Sequence, residues 1–118
     1  MANSFYFSEK EQSCPCCGSN NCDQAFLFKM NAARNYAEIP FVINSWCRCC
    51  KHNADVGGSP TSSHLKGVAV DLWCNSSEAR YKILDGLLYA GFTRIGIGKT
   101  FIHVDSDKDK SQGVIWIY

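Results

Sequence analysis

Apolar side chains recur at helical spacing between residues 23 and 38, where Phe26, Met30, Ala33 and Ala37 share one face and Asp23 is placed to cap the N-terminus. Ile39-Pro40 ends that helix, because the residue before a proline is pushed out of the α region. A short β-rich run follows at 41–45 and closes near Trp46. Residues 47–63 then lose all periodicity, and so long a connection in a compact domain is usually functional. Order returns as alternation. Val68, Val70 and Leu72 interleave with Ala69, Asp71 and Trp73, which predicts a strand carrying Asp71 on the face opposite Val70.

The clearest helix lies at 75–91. Asn75 to Glu78 has the form of a capping box, Ile83, Leu84, Leu87 and Leu88 make an apolar stripe, and Gly91 supplies the stop. Three short strands are expected afterwards, at 93–97, 101–105 and 114–118, with Gly98-Lys99-Thr100 as a turn and 106–113 as a polar loop. No internal repeat is visible. Strands and helices mix without regular βαβ alternation, so the expected class is α+β, a small antiparallel sheet with helices packed on one side.

Length adds that 118 residues make a single domain, with a Cys-rich segment over about 1–22 that reads as irregular. The formal charge of +1 argues against a broad nucleic-acid footprint, and no run is long and apolar enough to span a bilayer. Residues 1–9 lack the basic start and apolar core of a secretory signal. That leaves cytoplasmic synthesis, with release to the periplasm or cell wall open. The eight cysteines therefore read first as free thiols or metal ligands, and as disulfides only outside a reducing compartment. Cys14 and Cys17 form a C-x-x-C pair with Cys22 near the same turn, so a structural zinc completed by Cys47, Cys49 or Cys50 stands beside a plain loop of reduced thiols.

The chemistry concentrates in Ser63-His64-x-x-Gly67-x-Ala69-x-Asp71 and Phe101-Ile102-His103-Val104-Asp105. Zinc that does chemistry is commonly held by three ligands drawn from His and Asp or Glu, with a fourth position open. His64, Asp71 and His103 offer that set if the strands bearing Asp71 and His103 are neighbours, since facing residues have Cβ atoms about 5 Å apart. Spacing alone is better served by ordinary surface or capping residues. The two segments together, however, resemble the zinc signature of the D-alanyl-D-alanine carboxypeptidase family, which includes D,D-dipeptidases, phage endolysins and other peptidoglycan endopeptidases. Ile43-Asn44-Ser45-Trp46-Cys47-Arg48, His52-Asn53, Val56-Gly57-Gly58 and Gly91-Phe92-Thr93-Arg94-Ile95-Gly96-Ile97 extend the likeness from about residue 39 onward.

The resemblance implies zinc on His64, Asp71 and His103, with Arg48 binding the substrate carboxylate or the oxygen that becomes negative during attack. Many relatives carry an acid three residues before the last histidine. Here that position is Thr100, which cannot accept the proton, so Asp105 is the substitute, as general base or as the group that orients a zinc-bound histidine. His52 is a further candidate. Trp46, Trp73 and Trp116 divide between a cleft and the core, with at least two expected in the core, and Asp107-Lys108-Asp109-Lys110 reads as a solvated loop. The expected function is a monomeric zinc peptidase cutting an amide bond in peptidoglycan stem peptides. A zinc-containing binding module for the same peptides is the alternative, and a cysteine-zinc interaction module the third reading.

Overall fold

The computed structural model describes residues 6–118, so what was read for residues 1–5 lies outside the described residues. Among the described residues nine regular elements follow one another: α1 (Glu9–Gln12), α2 (Gln24–Ala37), β1 (Ile43–Ser45), α3 (Cys50–Asp55), β2 (Ala69–Trp73), α4 (Ser77–Tyr89), β3 (Arg94–Ile97), β4 (Phe101–Asp105) and β5 (Val114–Ile117). A 3-10 turn, Ser63–Lys66, precedes β2. The class is α+β, as the mixed pattern implied. Two short helices arise where irregular chain was expected, α1 on a Ser8–Glu11 capping box and α3 capped by the Cys49 sulfur. Neither is long enough to show an apolar stripe.

The five strands lie in the order β1-β2-β4-β3-β5, and every pairing is antiparallel except β3 with β5, which is parallel. The loop after β4 carries the chain past β3 to its outer edge, so β5 runs alongside β3 where turn length alone suggested another antiparallel partner. In the β2–β4 ladder Val70 faces Val104 and Leu72 faces Ile102. These four, with Ile95 of β3, are fully buried against Phe26, Met30 and Ala33 of α2 and Ile83 and Leu87 of α4. Each such side chain contributes about 1.5–3 kcal/mol by leaving water. The cap of α4 is Ser76, which accepts from the Ala79 N–H, one residue beyond the expected Asn75.

The opposite face of the same strands is polar and carries Asp71, His103 and Asp105. Because side chains alternate at every residue, the apolar pattern that buries Val70 and Leu72 fixes the register that turns Asp71 and His103 to the other side. Of the tryptophans only Trp46 is in the core, edge-on to Phe7 and Phe26, whereas Trp73 is 44% exposed and Trp116 half-buried. The expectation of two core tryptophans fails because Trp73 and Trp116 fall on the polar face.

Candidate metal centre

Asp71 and His103 are direct partners across β2 and β4. His64 reaches them from the 3-10 turn, in which its own backbone N–H donates to the Ser62 hydroxyl and whose end is set by Gly67 at φ +70°. That backbone conformation disfavours any side chain, and a Cβ there would also collide with the Asn21 carbonyl. Within the turn the His64 Nδ1 lies 2.7 Å from the Trp46 carbonyl oxygen. A carbonyl only accepts, so Nδ1 carries the proton and donates it. Nε2 therefore faces Asp71 Oδ2, 3.2 Å away.

His103 is held from both ends. Its Nδ1 is 2.8 Å from Asp71 Oδ1 and its Nε2 is 2.7 Å from Asp105 Oδ2. Asp105 is 1% exposed and its other oxygen accepts from Arg94 Nε at 2.7 Å and from the Asp107 N–H at 3.0 Å. Arg94 in turn donates to the Ser111 carbonyl at 2.7 Å and lies over the Trp116 ring, 4.9 Å from its centroid. Burial works to lower the His103 pKa, but the hydrogen bonds to Asp105 and Asp71 outweigh it and raise it. For Asp71 burial pushes upward, and the bonds from His103 and His64 bring the carboxyl well below the usual range. For Asp105 burial likewise raises, while His103, Arg94 and the Asp107 amide lower it below its ordinary value.

Arg48 flanks the group, with its terminal nitrogen 3.6 Å from Asp71 Oδ2. Its other two nitrogens are each tethered: Nε donates to Ser45 Oγ at 3.1 Å and the other terminal nitrogen donates to Asn53 Oδ1 at 3.1 Å. Asn53 is buried and its amide donates to the Ser59 carbonyl at 2.8 Å. Gly58 makes this possible, because a Cβ there would overlap the Asn53 side chain. On the far side, Asp107 is 2% exposed, so it is not part of a solvated charge run. It accepts from Ser63 Oγ at 2.8 Å and from Lys66 Nζ at 2.9 and 3.1 Å, fastening the turn that carries His64.

Donor atoms of His64, Asp71 and His103 all lie within 4.8 Å of one another. Two imidazoles and one carboxylate are the donor set expected of zinc with an open position. The local hydrogen bonding suits it: the Trp46 carbonyl leaves His64 Nε2 free, and Asp105 accepts from His103 Nε2, leaving His103 Nδ1 to bind metal in place of its proton. The structure thus brings together His64, Asp71, His103 and Arg48. Asp105 stands on the side of the His103 ring away from Asp71. Thr100 is exposed in the β3–β4 turn, and the backbone N–H of His52 donates to Cys49 Sγ. Trp116 packs 5.7 Å from His103 by ring centroids. Arg94, Asn53, Ser63 and Asp107 support the group without having been assigned roles from sequence. A second group that could hold metal consists of Cys14, Cys17 and Cys49.

Over 76 residues the chain is 32% identical to Vitellogenin-1 of Solenopsis invicta, an alignment covering 63% of this chain. The chain spans only 5% of that relative's length. Residues 5–105, which include all three histidine and aspartate donors as well as Arg48 and Asp105, match the Peptidase M15 family. That match takes in most of the fold and the whole metal centre, and by it the chain belongs to the peptidase M15 family, a family of metallopeptidases.

Proposed function

We propose that this chain is a zinc-dependent peptidase that hydrolyses an amide bond in peptidoglycan stem peptides. The observation that carries the reading is the convergence of His64, Asp71 and His103 donors within 4.8 Å, with the Arg48 guanidinium against Asp71. His64 would bind zinc through Nε2, His103 through Nδ1, and Asp71 through its carboxylate. When bound, zinc supplies a Lewis acid for the carbonyl and eases deprotonation of water near neutral pH. Arg48, fixed by Ser45 and Asn53, keeps its charge beside Asp71, where it would stabilise the negative oxygen of the transition state or bind a terminal carboxylate.

We assign Asp105 to orienting His103. Both its oxygens are engaged, one by His103 and the other by Arg94 and a backbone amide, and it fixes the tautomer that offers Nδ1 to the metal. This same engagement, together with Thr100 at the position of the usual acid, favours a second reading, a zinc-containing module that binds cell-wall peptide without cutting it. In either case the partner is a peptidoglycan peptide, taken up by a monomer.

Digestion of purified muropeptides, followed by mass analysis of the products, separates the two. The peptidase reading expects a defined fragment whose release stops with a chelator and resumes with zinc. Binding of the peptides by fully zinc-loaded protein, with no product, would replace it by the binding module.

A further inference from the structure

Three thiols converge some way along the chain from the histidines. Cys14 and Cys17 belong to the turn Cys14-Pro15-Cys16-Cys17-Gly18, closed by the Gly18 N–H donating to the Cys14 carbonyl at 2.8 Å. Cys49 comes from the segment directly after Arg48. The three sulfurs lie within 4.8 Å of one another, with Cys14 and Cys49 3.7 Å apart, and all are free thiols. Backbone amides point at them: the Cys49 N–H is 3.4 Å from the Cys14 sulfur and the His52 N–H is 3.3 Å from the Cys49 sulfur. Such N–H···S bonds stabilise charge on sulfur, as a metal-bound thiolate requires. An all-sulfur donor set selects a soft or borderline ion and disfavours magnesium or calcium.

We propose that Cys14, Cys17 and Cys49 bind a second zinc ion, which clamps the N-terminal turn to the strip of chain that carries Arg48. Cys22, which the sequence placed near the same turn, is not in the cluster, and its thiol points to the Asp23 carbonyl. Cys47 points to Asn20 Oδ1. Water or one of the exposed neighbours Cys16 and Cys50 completes the fourth position. A disulfide between Cys14 and Cys49 would use only two of the three sulfurs, whereas a metal engages all of them.

The clamp acts on residues 46–49, through which both metal groups are connected. The Cys47 N–H donates to the Gln12 carbonyl at 3.0 Å, the Arg48 N–H donates to the His64 carbonyl at 3.3 Å, and the Trp46 carbonyl holds the His64 ring. Fixing Cys49 to the Cys14 turn therefore sets the backbone on which Arg48 stands and from which His64 is held. The ion's role is to position, and it touches no substrate.

Metal analysis of the reduced full chain tests this. Wild type is expected to carry two zinc ions, Cys17→Ser one, and His64→Ala one. Cys17 is exposed, so its replacement leaves the core intact. With cobalt in place of zinc, the thiolate-to-metal charge-transfer band should persist in His64→Ala and collapse in Cys17→Ser. Hydrogen exchange over residues 12–22 and 46–50 should also quicken in Cys17→Ser. Unchanged zinc content in both Cys17→Ser and Cys49→Ser, or a Cys14–Cys49 disulfide in protein purified under reducing conditions, overturns the proposal. Zinc content that falls in Cys17→Ser but stays at the wild-type level in His64→Ala would instead overturn the peptidase reading and leave this one standing.

Discussion

Replacing Asp107 by asparagine should weaken the fold by an amount that depends on pH in a defined direction. The carboxylate is 2% exposed and ties Ser63 and Lys66 to the loop after β4. Burial alone would raise its pKa, but Lys66, Ser63 and the Asp109 amide outweigh that and bring it down to about 2. Against an ordinary aspartate near 3.9, the difference corresponds to about 2.5 kcal/mol at about 1.4 kcal/mol per pH unit. Lys66 is 42% exposed, so solvent screening trims its share and about 2 kcal/mol is the expected loss in Asp107→Asn near neutral pH. A depressed carboxylate pKa stabilises the fold fully above the unfolded value and loses that contribution as pH falls through the folded one. The gap between wild type and variant should therefore be full at pH 7, about half as large near pH 3, and absent below about pH 2. Urea unfolding of both proteins, with chelator throughout to exclude metal effects, measures it. Equal stability at pH 7, or a gap that does not shrink on acidification, would refute the reasoning.

Other outcomes follow from the same contacts. Asp105→Asn should cost about 10- to 100-fold in zinc affinity while turnover recovers at saturating zinc, because the residue orients His103. Turnover that stays abolished at full occupancy would return Asp105 to the role of base. Gly58→Ala drives a methyl into Asn53 and so loosens Arg48, and kcat/KM should fall by about 10- to 100-fold with zinc content unchanged, measured on muropeptides. Leu87→Ala, in the α4 face against the sheet, should cost about 2–5 kcal/mol in urea unfolding without changing zinc binding by the folded protein.

What could be read from the chain was whatever local periodicity controls. The α2 and α4 stripes and the alternation in β2 follow directly from apolar spacing, and with them the turn of Asp71 away from the core. His64 and His103 were legible as candidate ligands, though only the β2–β4 pairing brings His103 opposite Asp71. The supporting residues were hidden for a different reason. Asp107 sits in an alternating charge run that resembles solvated loop, and its partners Ser63 and Lys66 are more than forty residues away. Asn53 matters only because Gly58 admits it and Arg48 needs its oxygen. The parallel pairing of β5 with β3 depends on which sheet edge is free, which no short window of sequence encodes. In the cysteine group, the C-x-x-C turn was visible, but the third thiol is Cys49 from beyond β1, where chain proximity had favoured Cys22.

The central claim is that His64, Asp71 and His103 hold a zinc ion that the peptidase activity requires. Zinc content of purified His64→Ala against wild type tests it most directly. The account predicts one ion fewer per chain in the variant, with muropeptide cleavage lost and the fold intact by circular dichroism. A variant that keeps the wild-type zinc content would contradict it.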